Sequence, residues 1–315
     1  MKKQRSSSPE PMLSIVIPVH NEAEVLPALL ARLWTTGQKL DGSFELLFVD
    51  DGSRDDSVAI LMAARQRQPE IRVLQLSRNF GKEAAVSAGL EHARGEAVVL
   101  MDADLQDPPE LIPVLYEKMK ATDADIVSAV REGRNEKYTK KIYINIFHRI
   151  FDRLTGGEQV AQTGNFCMIN QKAHQAMLRF TERNRYLPGI RNFIGFKHEF
   201  ILYERPERLE GKAKMKLGKL FSLAADAIYS FSKWPIKFCL YLGLLGIIIF
   251  FLAIVYTLIS KILNLAPTGW SSMFLAISFF GSIQLTFLGL IGEYIYRIFK
   301  EVQNRPLYFI DHIYE

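Results

Sequence analysis

Residues 238–259 and 273–292 are two stretches without a single Asp, Glu, Lys or Arg. Each is long enough for a helix crossing about 30 Å of hydrocarbon, which takes roughly 20 residues at 1.5 Å per residue. A helix in a soluble core seldom stays apolar on every face for that length, and two in succession are rarer still. The stretches therefore read as a two-helix transmembrane hairpin, about 238–259 and 273–295 within 234–299. The link between them holds Pro267, Gly269 and one charge, Lys261. Lys233 and Lys237 precede the first span, and Arg297, Lys300 and Arg305 follow the second. This bias places both termini and the large N-terminal part in the cytoplasm, on the inner (plasma) membrane, with the link outside. Trp234 and Trp270 then fall near opposite interfaces. Residues 211–233 mix lysines with Met215, Leu217, Leu220, Phe221 and Leu223. They read as an amphipathic segment on the bilayer surface, or equally as a helix packed on the preceding domain.

The rest of the chain is different in kind. Residues 12–210 mix charged and apolar positions and suffice for one globular domain. Residues 1–11 read as a basic, Ser/Pro-rich disordered tail and not as a signal peptide, and 300–315 as a cytoplasmic tail. The net charge of +5 concentrates where a membrane accounts for it, so nucleic acid is not an expected partner. Cys167 and Cys239 lie far apart with no ligand spacing around them, which supports neither a disulfide framework nor a zinc site.

Within 12–210, short apolar runs at 14–18, 44–50, 73–76, 97–101 and 126–130 alternate with helical patterns. Such alternation predicts an α/β domain with a parallel sheet covered on both faces. Ligands of such sheets bind beyond the carboxyl ends of the strands. The polar clusters lie there: His20-Asn21-Glu22, Asp50-Asp51, Asp102-Ala103-Asp104 and Arg131. No G-x-G-x-x-G and no G-K-[ST] occurs, which disfavours a dinucleotide site of the usual type and a P-loop ATPase.

Asp102 and Asp104 follow an apolar strand and precede a Pro-Pro helix start. Two carboxylates one residue apart at a strand end can turn toward one divalent cation, Mg²⁺ or Mn²⁺, whose shell is completed by substrate phosphates and water. Such a cation would neutralise a departing diphosphate. The plainer alternative is a turn with solvated carboxylates. Ahead of the first span, Arg208-x-x-Gly211-x-x-Lys214 supplies guanidinium and ammonium groups suited to a lipid phosphate, or else forms an ordinary basic loop at the headgroups.

Five stretches carry a resemblance: SIVIPVHNE (14–22), FVDDGSRDDS (48–57), LSRNFGKEAAVSAGL (76–90), MDADLQDPPEL (101–111) and GEYIYRIFKEVQNRP (292–306). Together they cover nearly the whole chain in order. The chain resembles the family 2 glycosyltransferases of the polyisoprenyl-phosphate type, bacterial undecaprenyl-phosphate glucosyltransferases in particular, with dolichol-phosphate mannose synthase more distant. The resemblance implies a GT-A (Rossmann-like) nucleotide-sugar-binding domain on the membrane hairpin. It implies that Pro18, His20 and Glu22 line the nucleotide pocket and that Asp51 holds the base. Asp102, Asp104 and Gln106 would surround the metal and diphosphate, while Arg131, Arg208 and Lys214 would bind phosphate groups. It also suggests a homo-oligomer, a tetramer.

One position departs from the family pattern. Relatives commonly carry Gly-Asp-Phe where this chain has Gly164-Asn165-Phe166, and that Asp is a candidate catalytic carboxylate. Asn165 accepts a hydrogen bond but takes no proton near neutral pH. The acceptor phosphate is largely ionised at pH 7 and needs no strong base, so positioning and metal electrostatics are expected to supply most of the rate. The expected reaction is inverting transfer of glucose from UDP-glucose to a polyprenyl phosphate on the cytoplasmic leaflet. Mannose from GDP-mannose is the alternative donor. A processive synthase is disfavoured because no Q-x-x-R-W motif occurs. A non-catalytic membrane scaffold or transport partner is the reading of a different class, favoured by Asn165 and opposed by Asp102, Asp104, Arg131 and Lys214.

Overall fold

The computed structural model describes residues 11–131, 163–182, 185, 187–203 and 269–315, with single helical positions between 241 and 259. It falls into two compact units, one of residues 1–220 with 306–315 and one of residues 221–305.

The first unit is built on eight strands: β1 (Leu13–Val19), β2 (Phe44–Asp50), β3 (Ile71–Leu76), β4 (Ala97–Leu100), β5 (Ile126–Arg131), β6 (Thr163–Asn170), β7 (His198–Tyr203) and β8 (Ile310–Tyr314). They form one sheet in the order β7-β5-β6-β4-β1-β2-β3-β8. β1, β2, β3 and β4 run parallel, as the buried apolar runs predict. The sheet as a whole is mixed, because β6 lies antiparallel between β4 and β5 and β8 antiparallel beside β3. The expectation of a purely parallel sheet is corrected accordingly. Residues 310–314, expected as part of a tail, return to the sheet and close its β3 edge.

Helices α1 (Leu26–Gly37), α2 (Ser57–Arg65) and α4 (Ile112–Thr122) contribute Leu26, Leu29, Leu33, Leu61, Ile112 and Leu115 to one core cluster. Helices α3 (Lys82–His92), α5 (Gln171–Leu178) and α6 (Leu187–Phe193) contribute to a second cluster. β1 alternates between the two, with Leu13, Ile15, Ile17 and Val19 in one and Val16 in the other, as the period of two along a strand requires. Each of these fully buried side chains stabilises the fold by about 1.5–3 kcal/mol. Pro18 sits in a central strand without a lost ladder bond, because pairing to β4 stops at Val16.

A buried polar cluster ties the amino ends of these strands together. Glu45 accepts from Ser14 Oγ at 2.5 Å, from the Arg94 amide at 2.8 Å and from Arg72 Nη1 at 2.7 Å. Arg72 also donates to the His92 carbonyl and to Glu315 after β8.

In the second unit, α7 (Trp270–Val302) runs for 33 residues. It joins the charge-free stretch 273–292 to an end bearing Glu293, Arg297, Lys300 and Glu301, with Arg297 Nε on Glu293 at 2.8 Å. Met273, Ile277, Phe279, Leu285 and Leu288 are all more than half exposed. Among the described residues, which leave out most of the first expected span and several side chains of the second, no helix is long and apolar enough to cross a membrane.

Candidate active site

The parallel strands bring the expected residues together because β1, β2 and β4 end at the same side of the sheet. Val19 pairs with Asp50, and Val16 with Leu100. His20 and Asp51, one residue past these ends, and Asp102, two past Leu100, therefore meet at one rim. A cavity of about 310 Å³ lies there, lined by Pro18, His20, Glu22, Asp51, Lys82, Asp102 and Asp104 among others. A second of about 540 Å³, with His20 and Asn79 in both linings, is bounded by Asn21, Gly52, Ser53, Arg54, Arg78 and, from β8, Asp311.

His20 is held by three neighbours. Its Nδ1 donates to the Asp51 carbonyl at 2.9 Å, which leaves Nε2 to accept from the side-chain amides of Asn21 and Asn79, each at 3.1 Å. Asn21 adopts positive φ, 54°, a conformation Asn tolerates, and its Oδ1 accepts from the Arg54 amide. Glu22 lines the smaller cavity, its carbonyl accepting the first amides of α1.

Asp51 is nearly inaccessible, with its carboxylate oxygens accepting from the amides of Phe80 and Gly81 at 2.7 and 2.9 Å. Burial raises its pKa and these amides oppose the shift. The residue thus fixes the loop ahead of α3 as well as bordering the cavity. Gly52 makes the same junction from the other side. It has φ of 66°, and a Cβ there would lie 2.6 Å from backbone atoms of Arg78 and Asn79. Gly52→Ala is expected to cost about 1–3 kcal/mol in backbone strain alone. It should lower the melting temperature by several degrees and weaken nucleotide binding, both readable by thermal shift with and without UDP.

Asp102 and Asp104 sit in a tight turn. Asp104 Oδ1 accepts from the Gln106 amide at 3.2 Å, and Leu105 between them is forced to φ of 56°. A positive φ in Leu is strained, and such strain collects at functional turns. Buried Asp107 receives the Asp102 amide on one oxygen and the Tyr203 hydroxyl, at 3.0 Å, on the other. Tyr203 ends β7 and pairs with Arg131, the last residue of β5. Gln106 is largely buried beneath the turn. Asn165 is the third residue of β6 and is half-buried, next to Gly164, whose carbonyl takes Nη2 of the fully buried Arg191 at 2.6 Å. Arg208 and Lys214 lie outside the described residues.

Two residues at the start of α3 were not legible as site residues. Lys82 Nζ lies 2.7 Å from each Asp102 carboxylate oxygen. Burial disfavours its charge, and the Asp102 carboxylate outweighs that to raise its pKa. Glu83 beside it is pushed up to about 7 by burial, against the opposing pull of Lys82. The motif stretch 76–90 gave their position, but only the fold brings them to Asp102.

Among the described residues no group of three or more His, Cys, Asp or Glu side chains is arranged to hold a metal. The two carboxylates fit a hard divalent cation that takes its remaining ligands from substrate and water. Asp102 Oδ1 is buried and lacks a hydrogen-bond partner among the described residues, its contact with Lys82 being one of charge and distance.

Residues 14–178 match Glycosyl transferase family 2. The chain belongs to this glycosyltransferase family. Similar full-length relatives extend the match well beyond those residues. An uncharacterized glycosyltransferase of Synechocystis sp. is 39% identical over 96% of this chain and 95% of its own. The SfII prophage-derived bactoprenol glucosyl transferase of Shigella flexneri is 35% identical over 95% of this chain and 97% of its own. A prophage bactoprenol glucosyl transferase homolog of Escherichia coli is 33% identical over 96% and 99%. His20, Asp51, Asp102 and Asp104, at the strand ends of the mixed α/β sheet, all fall within the residues matched to the family.

Proposed function

We propose that this glycosyltransferase moves glucose from UDP-glucose to a polyprenyl phosphate at the cytoplasmic face of a membrane. The observation that carries the proposal is the juxtaposition of Asp102 and Asp104 with His20, Glu22 and Asp51 around one cavity at the strand ends. Relatives named bactoprenol glucosyl transferases match along about 95% of the chain and so support the acceptor and the sugar. The charge-free stretches 238–259 and 273–292 and their basic flanks support anchoring as a hairpin.

In this reading the nucleoside lies along the larger cavity, and the diphosphate over Asp102 and Asp104. These carboxylates would hold Mg²⁺ or Mn²⁺, which when bound supplies positive charge for the departing diphosphate. Arg131 and, ahead of the first span, Arg208 and Lys214 receive the acceptor phosphate. One phosphate oxygen attacks the anomeric carbon from the face opposite the diphosphate. The carbon–oxygen bond to the nucleotide breaks with its electron pair leaving on UDP, and the configuration inverts. No proton need be removed from an ionised phosphate, so Asn165 suffices as a polar contact where the family pattern the chain resembles has Asp. The rate comes from alignment and from charge placed where it develops.

The test uses membranes from cells producing the chain, incubated separately with radiolabelled UDP-glucose and GDP-mannose. Label should pass into the organic extract from UDP-glucose and be released as glucose by mild acid. Label from GDP-mannose alone would replace the donor, and none from either would remove the proposal.

A further inference from the structure

Among the described residues lining the smaller cavity, Glu22, Asp51, Asp102 and Asp104 are carboxylates and Lys82 is the one ammonium or guanidinium. Lys82 is placed by two constraints that have nothing to do with its charge. Gly81 before it has φ of 100°, a conformation suited to glycine, and the Gly81 amide is clamped by Asp51. The first residue of α3 is thereby fixed against the end of β4, and its flexible stem carries Nζ to within 2.7 Å of both Asp102 oxygens. This is where a divalent cation on Asp102 would also have to sit. Two cations cannot share that space, and each would repel the other at such range. The lysine must therefore move away for a metal to bind.

We infer that Lys82 is an exchangeable counter-ion: it neutralises Asp102 in the empty site and passes to the donor diphosphate when metal and nucleotide enter. The inference rests on the donor reading above and adds a residue and an order of events to it. Metal alone is opposed by the lysine. Metal arriving with a diphosphate is not, because the diphosphate gives the ammonium a new anionic partner. Lys82 would then contact the diphosphate leaving group and share its developing charge. The lysine side chain is 45% exposed, which leaves it room to swing and makes its replacement tolerable to the fold. A compact ammonium on a flexible stem suits this transfer better than a planar guanidinium would.

The experiment uses the full chain in detergent, with free Mn²⁺ followed by electron paramagnetic resonance, without and with UDP. In the parent protein Mn²⁺ alone should bind weakly and UDP should tighten it strongly. In Lys82→Met, Mn²⁺ alone should bind about tenfold tighter and the tightening by UDP should shrink by a similar factor, since the two couplings are reciprocal. Lys82→Arg should keep the weak binding of Mn²⁺ alone. An unchanged Mn²⁺ affinity and an unchanged UDP effect in Lys82→Met would overturn the inference. These readouts involve no sugar transfer. If they come out as expected while lipid labelling fails, the counter-ion role stands and the acceptor reading falls.

Discussion

Asp104→Ala is expected to lower kcat/KM for sugar transfer by about 10²–10⁴, the equivalent of roughly 3–5 kcal/mol of charge stabilisation at the departing diphosphate. The residue is partly buried and its Oδ1 accepts from the Gln106 amide; a melting temperature measured on the same variant separates loss of chemistry from loss of fold. Asp104→Asn preserves size and that acceptor while removing the charge. If charge is what the site needs, Asn should be nearly as poor as Ala. A variant with Asn at full activity would show that the turn, and not the carboxylate, is what the reaction uses. Steady-state rates with purified protein at saturating Mn²⁺ make the comparison, and weaker metal binding would appear as a raised metal requirement.

Arg72→Met should be the most destabilising single change in the sheet. Arg72 and Glu45 are each about 93% shielded from solvent and 2.7 Å apart. Removing the guanidinium leaves Glu45 with the Ser14 hydroxyl and the Arg94 amide but no cation. Uncompensated burial of a carboxylate costs about 3–5 kcal/mol, which for a unit of this size lowers the melting temperature by about 2–4 °C per kcal/mol. Replacing both partners, Arg72→Met with Glu45→Leu, should cost less than the sum of the two single changes, because the second substitution removes the orphaned charge. Additive losses in thermal unfolding would mean the two residues act independently. Since Glu315 also meets Arg72 and β8 closes the β3 edge, removing residues 306–315 should lower stability too.

Both outcomes bear on how much could be read from the residues alone. β1, β2, β3 and β4 were legible because they are buried on both faces, and a continuous apolar run has few other destinations. With them came the strand-end rule, and hence His20, Asp51 and Asp102 at one rim. β6 escaped because Phe166-Cys167-Met168-Ile169 is short and its antiparallel insertion leaves no periodic mark. β7 and β8 escaped because they are edge strands, where His198 and Glu199, or Asp311 and His312, dilute the apolar signal. The Lys82–Asp102 pair spans 20 residues and the Arg72–Glu45 pair 27. Nothing local announces either, and pairings of this kind depend on the register of the finished sheet. Asp51 shows the opposite limit. Its motif marked it as a site residue, while its bonds to Phe80 and Gly81 give it a positioning task that no motif states.

The proposed reaction joins a nucleotide sugar to a polyprenyl phosphate at this site. The most direct measurement uses purified full-length protein with Mn²⁺, UDP-[¹⁴C]glucose and undecaprenyl phosphate in detergent, with organic extraction over time. Label should enter the lipid only when all components are present, one glucose per phosphate, and Asp104→Ala should slow its entry by about 10²–10⁴. Label that appears only as free glucose, or that reaches lipid equally well in Asp104→Ala, would rule this reaction out.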